Sequence, residues 1–177
     1  MDSSKILKKV AIIGPECTGK TTISEQLANY FKTQWIPEFA REYIQDLNRA
    51  YDYEDVEFIS RKQMEQLNAT YDLTNKFIFF DTDLIITKVW FQVVYNKIPN
   101  WIDDAIMASN IDLYLLCNID LPWITDKVRE NGGEMREKLF LMYKNEIEAF
   151  KIPYFIVKGE EKLRTENAIN FIENYFI

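Results

Sequence analysis

The chain has 177 residues, 47% of them hydrophobic, which is enough for one domain over 1–177 with a sizeable core, and no apolar run nears the ~20 residues of a membrane span. A net charge of −7 without a lysine or arginine run argues against nucleic acid as the main partner. Histidine is absent, which excludes Ser-His-Asp and Cys-His chemistry and histidine-ligated metals and leaves a carboxylate, or else Lys or Tyr, as the general base; the two cysteines, Cys17 and Cys117, lack C-x-x-C spacing, which argues against a disulfide framework or a thiolate zinc site.

In chain order, Val10 to Ile13 is an apolar run that predicts a buried strand. Gly14-Pro15-Glu16-Cys17-Thr18-Gly19-Lys20-Thr21-Thr22 follows, and Gly14 to Thr21 fits G-x-x-x-x-G-K-[ST]. Glycines there let backbone N–H groups turn inward around a phosphate chain, and the helix expected from Ile23 to Phe31 would aim its partly positive N-terminus at the same anion. Lys20 would reach the β/γ-phosphates of ATP or GTP, Thr21 would ligate Mg²⁺, and Cys17 reads as a space-filler. Gln34 to Ile36 predicts a short strand stopped by Pro37. Helices are expected from Glu38 to about Ala50 and from Glu54 to about Thr74. Phe77 to Phe80 predicts a strand covered on both faces, ending in Asp81-Thr82-Asp83. A helix from Leu84 to about Tyr95, a short one from Trp101 to Ser109 and a strand from Ile111 to Cys117 come next. Residues 118–136 form a polar, charged segment that reads as a mobile lid. A helix from Glu134 to Phe150, a strand from Tyr154 to Val157 and a helix from Glu161 to Tyr175 close the chain. Strands alternating with helices predict a three-layer α/β/α fold with a mainly parallel sheet, and such sheets bind ligands at the C-terminal ends of their strands.

Four constellations carry candidate chemistry. Asp81 sits where a metal-holding carboxylate opposite Thr21 is needed, and Asp83, two residues on, is expected to point into the same crevice; either could instead cap the helix that begins at Leu84. Glu38 and Arg41 lie one helical turn apart after the second strand, suited to accepting a hydroxyl proton and clamping a charged group, or equally to serving the helix dipole and one another. Asp126, Arg129 and Arg136 belong to the lid segment, where arginines could close over a triphosphate or make ordinary surface ion pairs. Trp35, Trp90, Trp101 and Trp123 could stack on a flat ring or be core.

The set Gly-Pro-Glu-Cys-Thr-Gly-Lys-Thr-Thr (14–22), Pro-Glu-Phe-Ala-Arg-Glu-Tyr (37–43), Phe-Phe-Asp-Thr-Asp (79–83) and Asp-Leu-Pro-Trp-Ile-Thr-Asp-Lys-Val-Arg (120–129) resembles the ribosylnicotinamide kinase domain of the bacterial NadR proteins, over about Lys8 to Lys158. The resemblance implies a nucleoside-kinase-like phosphate-loop NTPase fold and phosphorylation of nicotinamide riboside at its 5′-hydroxyl, using a nucleoside triphosphate and Mg²⁺. It implies that Glu38 and Arg41 line the acceptor site, with Asp81 and Asp83 beside the ribose and Mg²⁺, and that Arg129 and Arg136 serve the triphosphate. The family's ring-stacking tryptophan aligns with Pro37, so Trp35, two residues earlier, becomes the candidate in this chain. Family members carry an adenylyltransferase domain with a histidine-containing motif; this chain begins at the kinase strand without histidine, so kinase activity alone is expected. The start Met1-Asp2-Ser3-Ser4 is no signal peptide, and a cytoplasmic protein is expected, with a small-molecule partner and neither nucleic acid nor membrane. A kinase of another nucleoside-like molecule, or an ATPase or GTPase switch without an acceptor, remain the alternatives.

Overall fold

The computed structural model describes residues 7–72, 75–125 and 131–176. Its centre is a five-stranded sheet in the order β2-β3-β1-β4-β5, formed by β1 (Lys8–Ile13), β2 (Trp35–Ile36), β3 (Phe77–Asp81), β4 (Leu113–Cys117) and β5 (Tyr154–Val157). Every pairing is parallel, with Val10 opposite Phe79 and Leu113, and Trp35 also opposite Phe79. Every residue of β3 and β4 is buried, because helices cover both faces.

On one face Val10, Ile12, Phe77, Phe79, Leu113 and Leu115 pack with apolar residues of α1 (Lys20–Phe31) and α7 (Glu161–Phe176). On the other, Ala11, Ile13, Ile78, Phe80, Tyr114 and Leu116 pack against α3 (Tyr53–Asn68), α4 (Leu84–Trp90), α5 (Ile102–Ala108) and α6 (Glu134–Ala149). The expected three layers are present. Parallel pairing brings the C-terminal ends of β1, β3 and β4 to one edge, so Gly14, Asp81 and Cys117 emerge together.

The largest departures from the expected element boundaries lie in three helices. The helix after β2, α2 (Phe39–Asp46), stops short of Ala50, and α3 starts in a capping box in which Asp52 and Asp55 each accept the other's backbone N–H. At its far end α3 stops at Asn68, where the Tyr71 hydroxyl donates to the Gln66 carbonyl at 2.5 Å. The stretch from Leu84 to Tyr95 is α4 followed by a π-helical turn, Phe91–Tyr95, ended by Asn96 at φ 47°. Among the described residues no helix is long and apolar enough to cross a membrane.

Candidate active site

The loop between β1 and α1 wraps back on itself. The Thr18 hydroxyl donates to the Pro15 carbonyl at 2.7 Å, and Lys20 Nζ reaches the same oxygen at 3.1 Å. Gly14 is needed by close approach: a Cβ there would lie 2.8 Å from the Cys117 carbonyl oxygen and 3.0 Å from Thr18 Oγ1. Gly19, at φ 77°, caps α1 without a side-chain hydrogen bond, so this end of the helix leaves its first-turn N–H groups without a side-chain cap. Residues 14–22 thus form a tight loop that runs from β1 into α1.

Opposite the loop, the end of β3 brings Asp81 to α1. Thr21 Oγ1 donates to Asp81 Oδ2 at 2.6 Å, while Asp81 Oδ1 is buried with no hydrogen-bond partner among the described residues. Burial pushes this carboxyl above its usual range, against the pull of Lys20, the Thr21 hydroxyl and Arg41. An orphaned carboxylate oxygen beside a threonine hydroxyl is a hard oxygen donor set that fits Mg²⁺. Among the described residues no cluster of three or more Cys, Asp or Glu could hold a metal by itself.

A cavity of about 290 Å³ opens from the phosphate loop toward α4. Its polar end is lined by Lys20, Thr21, Glu16, Glu38 and Arg41, and its far end by Ile44, Tyr51, Trp90, Val93 and Val94. Glu38, which follows Pro37 at the end of β2, lines the cavity and makes no side-chain cap on α2. Burial raises its pKa above the ordinary carboxylate range; Asp81 and Glu16 add to the rise, and Lys20 and Arg41 oppose it. Trp90 and Tyr51 meet edge to face with ring centroids 5.0 Å apart, giving the far end two aromatic walls at nearly a right angle.

Two expected site residues lie elsewhere. Asp83 does not point into the crevice: it is 1% exposed, accepts the Ile85 N–H at 3.0 Å as the N-cap of α4, and receives the Tyr114 hydroxyl. Burial pushes its carboxyl up to about 7. Trp35 packs with Phe31 against the α1 side of the sheet and does not line the cavity; Trp90 is the tryptophan that does.

The expected lid meets the phosphate loop on both sides of residues 126–130, and Asp126 and Arg129 lie outside the described residues. The Ile124 N–H donates to Cys17 Sγ at 3.4 Å and the thiol donates to the Ile124 carbonyl at 3.1 Å, so Cys17 is a contact with this segment rather than a filler. The Asn131 N–H donates to Glu16 Oε2 at 2.8 Å. Arg136, 8% exposed at the start of α6, donates to the carbonyls of Cys17 and Leu121 at 3.2 and 3.1 Å. Its head group is thereby tied to the loop's backbone.

Arg164 on α7 escaped the sequence reading altogether. It is 3% exposed and donates to the carbonyls of Thr18, Asn118 and Gly159 and to Asp120, at 3.0, 2.8, 2.8 and 2.5 Å. One buried guanidinium thus joins the phosphate loop to the ends of β4 and β5. No local motif marks it, because its four acceptors come from three separate places in the chain. Tyr51, Gln63 and Thr87 were missed for the same reason: they meet only in the folded cavity.

A phosphate loop on a 2-3-1-4-5 parallel sheet between helical layers defines a phosphate-loop NTPase fold. A family model described as an AAA domain matches residues 9–164, and the chain belongs to that family. The motif-based resemblance to NadR is borne out among curated proteins. The trifunctional NAD biosynthesis/regulator proteins NadR of Salmonella typhimurium (strain LT2) and Escherichia coli (strain K12) are each 28% identical over 138 residues. That alignment is 76% of this chain and 34% of the relatives, so the chain spans about a third of their length. A crystal structure of NadR protein in complex with NAD and AMP-PNP superposes with a TM-score of 0.74 at 23% identity, over 95% of this chain and 49% of that one. A NadR complex with NR gives 0.76 at 22% identity, over 95% and 50%. Thymidylate kinase from Ehrlichia chaffeensis gives 0.68 at 13% identity, over 94% and 98%. At these identities the structures establish the shared nucleoside- and nucleotide-kinase-like fold.

Proposed function

We propose that this chain is a phosphate-loop kinase that transfers the γ-phosphoryl group of ATP or GTP to the 5′-hydroxyl of nicotinamide riboside, giving nicotinamide mononucleotide. The observation that carries the reading is a single cavity with the phosphate loop at one end, Glu38 and Arg41 beside it, and the Trp90–Tyr51 corner at the other. That shape suits an acceptor with a hydroxyl at one end and a flat ring at the other. The similarity to NadR, one solved form of which holds NR, supports nicotinamide riboside within that class.

In this reading Lys20 and the first-turn N–H groups of α1 bind the phosphates, and Arg136 keeps the loop and the segment after β4 together. Glu38, beside the loop, accepts the hydroxyl proton as the new O–P bond forms and the bond to the departing diphosphate breaks. Its raised proton affinity matches that task. Arg41 orients the acceptor and offsets the charge of Glu38 and Asp81. Thr21 and Asp81 would hold Mg²⁺, which when bound neutralises phosphate charge. Arg129, from the lid, would complete the enclosure of the triphosphate. Trp90 and Tyr51 exclude water from the ring end.

The test is a coupled assay of ADP release with Mg·ATP and a panel of nicotinamide riboside, ribonucleosides, deoxyribonucleosides and water. Stimulation by nicotinamide riboside, with the mononucleotide identified by mass, is the expected result. A rate that no acceptor lifts above water would overturn the kinase reading.

A further inference from the structure

Thr82 stands between Asp81 and Asp83 with φ 74°. A β-branched residue rarely occupies this left-handed region, and such strain persists only where neighbours over-determine it. Two bonds hold Thr82: its N–H donates to the Ile12 carbonyl at 2.9 Å, and its Oγ1 accepts from Gln63 Nε2 at 3.0 Å. Gln63 is itself held, since Thr87 Oγ1 lies 3.3 Å from its Oε1, and Gln63, Thr82 and Thr87 are all at most 4% exposed. Strand alternation points Asp81 to the α1 face, toward Thr21, and the turn at Thr82 ends that alternation one residue later, so that Asp83 caps α4 instead. Asp81 therefore stands between a regular strand and a turn that its neighbour would not adopt unaided.

We propose that Gln63 is a positioning residue for the metal-holding carboxylate: through the hydroxyl of Thr82 it clamps the strained turn that fixes Asp81 opposite Thr21. This rests on the reading of Asp81 and Thr21 as the metal site. Gln63 also lines the cavity, but its hydrogen bonds go to Thr82 and Thr87, and the one toward the metal-holding carboxylate runs through Thr82. Without the clamp, residue 82 relaxes toward ordinary backbone angles and the Asp81 carboxylate swings out of register with Thr21 Oγ1. Glycine at 82 adopts the same φ without strain and has no need of the clamp.

The experiment measures Mn²⁺ affinity by electron paramagnetic resonance with saturating ADP, beside circular dichroism melts, for the wild type, Gln63→Met, Thr82→Gly, the double variant and Asp81→Asn. Gln63→Met should weaken Mn²⁺ about tenfold, and the double variant should recover to within about threefold of the wild type, because glycine makes the glutamine redundant. A purely structural glutamine would lower the melting midpoint and leave Mn²⁺ affinity alone, and that result overturns the proposal. So does a double variant as weak as Gln63→Met. Steady-state kinetics give a further check: a rise confined to the acceptor's KM, with Mn²⁺ affinity intact, would make Gln63 an acceptor contact and overturn the clamp. Wild-type Mn²⁺ affinity in Asp81→Asn would overturn the metal-site reading itself, whereas loss there with no effect of Gln63→Met removes the clamp only.

Discussion

The carboxylate of Asp55 makes a quantitative prediction because all of its acceptor capacity is in use. Oδ2 accepts the Asp52 N–H at 2.9 Å and Arg49 Nη1 at 2.5 Å, while Oδ1 accepts Arg49 Nη2 and the Tyr43 hydroxyl, both at 2.8 Å. These bonds tie the 47–52 connection, which carries Tyr51 into the cavity wall, to α3 and to α2. In Asp55→Asn one oxygen becomes an NH₂ group, so whichever way the amide turns, two donors face a donor. With the amide toward Tyr43 the phenol can rotate to accept, and the Arg49 contact is lost. A hydrogen bond to a charged group contributes about 1.5–3 kcal/mol. Arg49 is 53% exposed, so solvent screening discounts this to roughly 1–2 kcal/mol. The melting midpoint should fall by about 2–8 °C, at the ~2–4 °C per kcal/mol of domains this size. Arg49 holds the Asp55 carboxyl well below the usual range, with its neighbours' bonds helping against burial. A depressed carboxyl stabilises the fold above its unfolded-state value and loses that contribution as pH falls toward the folded-state value. The gap between wild type and Asp55→Asn should therefore be full at pH 7 and shrink below about pH 4. Urea unfolding followed by circular dichroism at pH 7 and pH 3 measures both. With Tyr51 less firmly held, the acceptor's KM should rise several-fold and that of the triphosphate should stay put. Equal stability of the two proteins at pH 7, or a gap that widens in acid, would refute the reasoning.

Lys20→Met should reduce turnover by at least about 10²-fold at an unchanged melting midpoint, since Nζ spends itself on a loop carbonyl rather than on packing; normal turnover would end the phosphate-loop assignment. Glu38→Gln should lower kcat/KM for the acceptor by about 10–100-fold and weaken the acid limb of its pH profile, because the wild-type carboxyl, raised by burial, protonates and fails as base on the way down from neutrality. An unaltered pH profile in that variant would remove Glu38 from the proton transfer. Trp90→Ala should raise the acceptor's KM about tenfold or more while Trp35→Ala, by loosening the α1 side of the sheet, lowers the melting midpoint instead; the reverse pattern would return ring binding to Trp35.

The phosphate loop was legible because its chemistry is local: two glycines, a lysine and a threonine at fixed spacing, between an apolar run and an amphipathic one. The layer order was legible because β1, β3 and β4 are nearly all apolar, as strands covered on both faces must be. The acceptor cavity was half legible. Glu38 and Arg41 lie next to a strand end and so near the edge where ligands bind, whereas Tyr51, Gln63, Thr87 and Trp90 come from one connection and two helices whose mutual approach no spacing rule encodes. The π-helical turn after α4 was invisible, since Leu84 to Tyr95 keeps a helical pattern throughout.

The two misplaced residues failed for one geometric reason each, and together they show how far a period-two argument reaches. Trp35 stands opposite Phe79 and Ile36 opposite Phe80, and parallel partners share a face. Phe79 belongs to the α1 side and Phe80 to the α4 side, so of these two β2 residues it is Ile36, not the tryptophan, that faces the side of the sheet where the cavity lies. Nothing in the sequence orders β2 against β3, and a one-residue change of register would have exchanged the two. Asp83 is the converse case. A strand continuing straight from Asp81 would place residue 83 on the α1 face beside it, which is the expectation its spacing creates. Thr82 at φ 74° ends that alternation, and Asp83 instead meets Tyr114, whose ring belongs to the α4 side. The rule holds up to the last residue with strand geometry and fails at the next, so the strained threonine that hides Asp83 is also what lets Asp81 stand alone opposite Thr21.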